Sequence, residues 1–110
     1  MGKYVITKRA NGEFQFNLKA DNGQVILASE GYSTKSSCEN GIESVKKNSP
    51  DEARYEKKTS TNGKYFFSLK ATNGQIIGSS EMYESTSGRD NGIESVKKNG
   101  PEGIVDDQTV

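Results

Sequence analysis

A chain without histidine has few routes to chemistry at neutral pH, and this one, 110 residues long, contains none. Histidine is the side chain whose ordinary pKa lies nearest neutrality and is the commonest protein metal ligand. Its absence removes most catalytic triads and zinc sites at once. The one thiol, Cys38, has no base beside it that could activate it as a nucleophile, and it reads as a small buried helix residue. Asp106-Asp107 is the only adjacent aspartate pair. A role in acid–base work or in magnesium binding would need convergent partners, and a frayed acidic terminus explains the pair more cheaply. Seven Asn-Gly dipeptides raise the thought of a phosphate loop. None of them falls in a G-x-x-x-x-G-K-[ST] or G-x-G-x-x-G frame. No catalytic residue, metal ligand or cofactor is assigned.

Binding is the remaining chemistry. An antiparallel sheet carrying Tyr4, Tyr55, Tyr65 and Phe66 beside lysines could stack bases and hold phosphates. Against that, fifteen basic and fifteen acidic residues cancel to a net charge of zero, whereas a basic footprint is the usual signature of a nucleic-acid binder. The reading preferred here is a non-catalytic cytoplasmic binding or protein-interaction module, with nucleic-acid binding as the alternative and a small-molecule enzyme third. Tyr32, Asn40 and Lys47, with Tyr83, Asn91 and Lys98 at the matching positions of a second copy, form the candidate surface. Plain packing for the tyrosines and local hydrogen bonding for the asparagines compete with that assignment.

The setting is read as cytoplasmic and off the membrane. A lone cysteine makes no internal disulfide, MGKYVITKRA is no apolar leader, and no apolar run approaches the roughly 20 residues of a spanning helix.

The elements that must position these residues come from a duplication. Sliding the chain by 51 positions aligns 11–50 with 62–101, and 24 of the 40 pairs are identical, including NGIESVKKN at 40–48 and 91–99. Phe14, Phe16 and Leu18 alternate with Glu13, Gln15, Asn17 and Lys19, the pattern of a half-buried strand. Asn22-Gly23 and Asn73-Gly74 then predict two-residue type I′ hairpins, pairing Leu18 with Leu27, Ala20 with Val25, and Ala71 with Ile76. At Asn11-Gly12 burial favours a three-residue loop with a bulge, which sets Tyr4 and Ile6 against Leu18 and Phe16.

Ser36-x-x-Glu39 has capping-box form and predicts a helix from about Ser36, with Ser87 and Asp90 as the weaker counterpart. Cys38, Ile42 and Val45, and Ile93 and Val96, make a narrow inward stripe. Glu43 and Lys47 are expected to pair on the outside, and Pro50 and Pro101 to stop the helices. Gly41 and Gly92 cost helix stability, so a close approach of helix to sheet is expected there. If Phe16 and Leu18 face the helix, then Val5, Ile26, Phe66 and Ile77 lie on the other side. The second repeat or a homodimer must cover them.

The resulting fold class is α+β: one domain, 1–110, of two tandem β-β-β-α units (about 1–51 and 52–110). The units have antiparallel sheets related by a pseudo-twofold, and GIVDDQTV offers one more strand. The FNLKA-NGQ-I pattern of Phe16 to Ile26, its copy from Phe67 to Ile77, and the doubled NGIESVKKN resemble the YegP-like family of small bacterial proteins over nearly the whole chain. The resemblance implies the same duplicated sheet-plus-helix unit and assigns no activity. Glu56 and Lys57, standing where the first copy has Val5 and Ile6, depart from strict equivalence of the halves.

Overall fold

The alternation around Phe16 does become a strand, and a computed structural model, describing residues 2–110, shows what surrounds it. In chain order the elements are β1 (Lys3–Lys8), β2 (Phe14–Lys19), β3 (Val25–Ser29), α1 (Lys35–Asn48), a single 3-10 turn (Glu52–Arg54), β4 (Tyr55–Thr59), β5 (Tyr65–Lys70), β6 (Ile76–Ser79), α2 (Thr86–Asn99) and β7 (Ile104–Asp107). All seven strands form one sheet in the order β4-β5-β6-β3-β2-β1-β7.

The β1–β2 register is the one burial demanded, with Tyr4 opposite Leu18 and Ile6 opposite Phe16. Gly12, at φ 88, closes a three-residue loop in which the Arg9 amide donates to the Glu13 carbonyl at 2.7 Å. The β2–β3 turn corrects the type I′ expectation. Only Gly23 takes positive φ, at 85, and the Ala20 amide bonds the Gln24 carbonyl at 2.9 Å. This loop too has three residues, so Ala20 faces Gln24 rather than Val25. Leu18 still meets Leu27, because a bulge between Leu18 and Lys19 absorbs one residue of β3. The second copy repeats this, with Ile76 opposite Lys70 and Ala71 bonded to Gln75. A bulge of this kind turns two consecutive side chains toward one face. Ile26 and Ile77 accordingly join the helix-side cluster instead of the outer face. Of the four residues expected outside, Val5 and Phe66 remain there. Val5 is buried, and Lys58 lies 5.9 Å from the centre of the Phe66 ring.

The two repeats are joined by β3 and β6, antiparallel, through Ala28–Ser79 and Ser29–Gly78. A twofold between antiparallel neighbours runs perpendicular to the sheet and keeps both helices on one face. One cluster accordingly holds Phe16, Leu18, Ile42 and Val45 together with Phe67, Leu69, Ile93 and Val96. The repeats diverge where the pseudo-axis makes equivalent residues meet. A Cβ on Gly78 would stand 3.1 Å from Leu27 Cγ, and one on Gly100 would stand 2.7 Å from Ser49 Oγ. Leu27 and Ser49 are their counterparts by the offset of 51, so each pair has room for one side chain only.

The strand β7 departs from the all-antiparallel expectation. It pairs parallel to β1, with Val105 opposite Tyr4 and Asp107 opposite Ile6. Asp107 is thus no frayed end: its carboxylate meets Lys35 Nζ at 2.9 Å and accepts from the Thr109 amide at 2.9 Å and hydroxyl at 2.6 Å. Those bonds, Thr109 first, pull its pKa from 3.8 to about 2. A depressed carboxylate stabilises the fold above its unfolded pKa, and that contribution vanishes as pH falls through the folded one. Asp107→Asn should therefore lower the urea midpoint at pH 6 and flatten its decline between about pH 4 and 2, relative to the parent chain.

Each helix is capped two residues before the expected position. Thr34 accepts from the Ser37 amide at 3.1 Å and Ser85 from the Gly88 amide at 3.0 Å. Ser36 and Ser87 lie inside the first turn, because a hydroxyl two places earlier already satisfies the free amides there. Glu43 pairs with Lys46 at 3.7 Å rather than with Lys47, one turn in i,i+3 spacing.

Candidate functional site

The glycines of the doubled stretch receive a tyrosine. Tyr32 leaves β3 and is pinned beside β2 by reciprocal amide bonds with Phe14, both 2.7 Å. Its ring stacks on Phe16 at 6.3 Å and its hydroxyl lies over Gly41. A Cβ on Gly41 would stand 2.8 Å from Tyr32 Cζ and 3.1 Å from Phe16 Cε2. Tyr83, Phe67 and Gly92 repeat the arrangement, with ring centres 6.5 Å apart and a Cβ 2.7 Å from Tyr83 Cζ. The close approach is thus to two aromatic rings rather than to strand backbone. Burial raises the pKa of both phenols, so each stays protonated and able to donate at neutral pH.

The ends of the helices are tied across the repeats. Tyr4, fully buried on β1, donates its hydroxyl to the Gly100 carbonyl at the end of α2 (2.7 Å), and Tyr55 on β4 donates to the Ser49 carbonyl at the end of α1 (2.8 Å). Burial holds both pKa values well above the ordinary tyrosine range. Two of the four aromatics that suggested base stacking are therefore engaged in structure. Tyr65 and Phe66 are half-buried, with Arg89 lying 5.6 Å from the centre of the Tyr65 ring. Tyr4→Phe should cost about 1–2 kcal/mol in a urea titration, the loss expected when a buried carbonyl forfeits its donor. Tyr55→Phe, at a half-buried site, should cost less.

Two open grooves follow from this packing, and each is built between repeats. One, of about 740 Å³, runs between α1 and the β5–β6 turn and is lined by Glu30, Tyr32, Ser37, Asn40, Gly41 and Ser44 against residues 71 and 73–77. The other, of about 370 Å³, runs between α2 and the β2–β3 turn, with Asn91, Glu94, Ser95, Lys98 and Asn99 against Ala20, Asp21 and Asn22. Tyr32 and Asn40 are thus brought together in the first groove, and Asn91 and Lys98 in the second. Lys47 and Tyr83 line neither. The turn residues Asn73, Gln75, Asp21 and Asn22 went unremarked as site residues. The signal for them was the NGQ triplet at 22–24 and 73–75, kept at the same offset as the helices.

The grooves offer carboxamides, hydroxyls and a little apolar floor at Ile76 and Ile77. Charge is sparse in the first groove, with Glu30 alone, and mixed in the second, with Asp21, Glu94 and Lys98. Among the described residues no group of three or more His, Cys, Asp or Glu is placed to hold a metal ion. Cys38 is fully buried, and burial pushes its thiol up to about 11, so it carries no thiolate at neutral pH. This is chemistry for reversible hydrogen bonding. No helix among the described residues is long and apolar enough to cross a membrane.

A family profile described as "Domain of unknown function (DUF1508)" matches this chain twice, over residues 10–56 and 60–107. The chain is 57% identical over 104 residues to a UPF0339 protein in the ptx operon 5' region of Stutzerimonas stutzeri, covering 94% of each. It is 54% identical over 108 residues to the UPF0339 protein YegP of Escherichia coli strain K12, covering 98% of each. The solution NMR structure of the protein of unknown function yegP from E. coli matches with a TM-score of 0.93 at 53% identity, over 97% of this chain and 92% of that one. That of a UPF0339 protein from Shewanella oneidensis matches at 0.91 and 56%, over 96% and 90%.

Proposed function

Since the chain belongs to the DUF1508 family and carries that domain twice in tandem, we propose that it is a non-catalytic binding module acting in the cytoplasm, with its ligand seated in the inter-repeat grooves. The observation that carries this reading is the recurrence of one hydrogen-bonding pair in both grooves. Asn40 and Ser44 face one turn, and Asn91 and Ser95, the same residues 51 positions on, face the other. Tyr32 and Tyr83 set the helices that present them. Lys47 and Lys98, both exposed one turn further along, supply charge at the rim. A protein segment is the favoured ligand, since carboxamides and hydroxyls pair with peptide groups and a net charge of zero lacks the basic footprint usual for holding phosphates. The lone buried thiol supports a reducing compartment.

The test is an amide-resolved NMR titration of the labelled chain with two probes: a pool of short unstructured peptides, and pools of short single-stranded RNA and DNA at low and moderate salt. The reading expects peptide-dependent shifts at residues 37–44, 71–77, 20–24 and 91–99, lost in Asn40→Ala with Asn91→Ala. Shifts with oligonucleotides alone, weakened by salt, would replace it with a nucleic-acid role. Silence with every probe would overturn it.

A further inference from the structure

The sheet has two open edges, and they are built differently. Edge β4 carries charge at its three central positions: Lys57 reaches Asp90 at 3.2 Å, and Glu56 lies between Lys58 at 3.3 Å and Lys70 at 3.2 Å. Charged side chains on an edge oppose the addition of another strand. Edge β7 reads IVDD and has no lysine or proline. Ile104 is 57% exposed and Val105 42%, two of the most exposed large apolar residues in the chain, set side by side.

The hydrogen bonds say which way β7 faces. The Ile104 amide donates to the Gly2 carbonyl and the Gln108 amide to the Ile6 carbonyl, both at 3.0 Å. Residues 104, 106 and 108 therefore turn toward β1, and by the period of two the peptide groups of Val105 and Asp107 point outward. Gly103 fixes this path: a Cβ there would stand 2.6 Å from the Tyr4 ring.

We propose that this outer edge is a docking site for an extended segment of a partner protein, which adds to β7 as an eighth strand. Its apolar residues would lie beside Ile104 and Val105, and a basic residue would stand opposite Asp106. Charge selects the occupant. A second copy of the chain, paired antiparallel about a twofold so that both outward residues are used, would set Asp106 against its own counterpart. Like charges directly opposite are destabilising. Asp107 is already satisfied by Lys35 and Thr109, whereas the hydrogen bond of Asp106 is a 3.4 Å contact from Gln108 on its own segment. A partner strand with Lys or Arg at that register turns the repulsion into attraction, and backbone bonds to Val105 and Asp107 supply the affinity, as in other strand-addition modes.

The probe is the blocked peptide acetyl-TTKVITT-amide, with acetyl-TTEVITT-amide as its charge-reversed control, titrated into the labelled full chain. The expected result is shifts confined to residues 103–108 and slowed hydrogen exchange at the Val105 and Asp107 amides. The acidic peptide should bind about two- to thirtyfold more weakly, as one lost cross-strand charge pair with a similar repulsion in its place would give. Val105→Pro, which removes an outward amide that takes no part in the β1 ladder, should abolish the shifts. Asp106→Lys should reverse the peptide preference, and it decides the matter by itself if the proline variant does not fold. No shift at millimolar peptide, equal binding of both peptides, or a concentration-dependent dimer perturbing 103–108 without peptide would each overturn the proposal.

Discussion

Replacing Phe67 with Ala is expected to lower stability by about 3–5 kcal/mol, the usual cost of emptying a buried aromatic site, and to do so for the whole molecule. Phe67 is fully buried, meets Tyr55 edge-on at 5.7 Å and Tyr83 face-on at 6.5 Å, and touches the place where Gly92 lacks a side chain. A chain of this size has some 5–15 kcal/mol in total, so the variant should sit near the edge of folding. Phe16→Ala, with Tyr4 at 5.8 Å and Tyr32 at 6.3 Å, should behave alike. Urea unfolding followed by circular dichroism measures both. A loss below about 1 kcal/mol would mean that the two aromatic stacks are not where the core is held.

The second large effect is one of opposite sign to helix propensity. On propensity alone, Gly92→Ala should stabilise α2 by up to about 1 kcal/mol. The new methyl would instead enter the space of the Tyr83 hydroxyl, stand 2.7 Å from Tyr83 Cζ and 3.2 Å from Phe67 Cε2, and push against both stacked rings. Overpacking of this kind costs about 1–3 kcal/mol, so a net loss is expected there and at Gly41→Ala. Tyr83→Phe, which removes the atom in closest conflict, should recover part of the loss when combined with Gly92→Ala. A double-mutant cycle reads that coupling. Asn91→Ala, one residue earlier and exposed, should change stability by no more than about 0.5 kcal/mol. A gain in stability from Gly92→Ala would remove the explanation of why both copies keep the glycine.

These contacts show what the amino-acid order made legible. Alternation at Phe14, Phe16 and Leu18 and the burial of Tyr4 and Ile6 set the β1–β2 register, because a slip by one residue would turn that whole apolar set outward. The stripe Cys38, Ile42 and Val45 likewise announced its buried face. The turn at Asn22-Gly23 is ambiguous in sequence because the dipeptide suits both a two-residue and a three-residue loop, and the chain takes the latter. What decides between them is a bulge at Ile26 whose only trace is a run of consecutive apolar residues, Val25-Ile26-Leu27. The caps slipped by two places because hydroxyls stand at 33, 34, 36 and 37 alike, and local pattern cannot rank them.

The union of the repeats into one sheet rests on two residue pairs of β3 and β6, too few to leave a periodic signature. The parallel attachment of β7 is non-local and equally silent. The site suffered for the same reason. Tyr32 with Asn40, and Asn91 with Lys98, are singled out by their retention in both copies, but the turns that complete each groove belong to the opposite repeat. The first-strand departure does have a reading once the sheet is known. Ile6 is buried on an interior strand flanked by β7, whereas Lys57 stands on the open edge β4, where charge is an advantage.

The doubled NGIESVKKN is, on this account, the seam of the molecule. Each copy packs its own repeat's tyrosine and phenylalanine, faces the other repeat's turn, and is followed by a residue, Ser49 or Gly100, whose carbonyl the other repeat's tyrosine binds. The most direct test is residue-resolved NMR of urea unfolding in Phe67→Ala. The account predicts that amides of Gly41–Asn48 and Gly92–Asn99 lose their native signals together, at one midpoint lowered equally from that of the parent chain. First-repeat amides that keep the parent midpoint while the second repeat melts would contradict it.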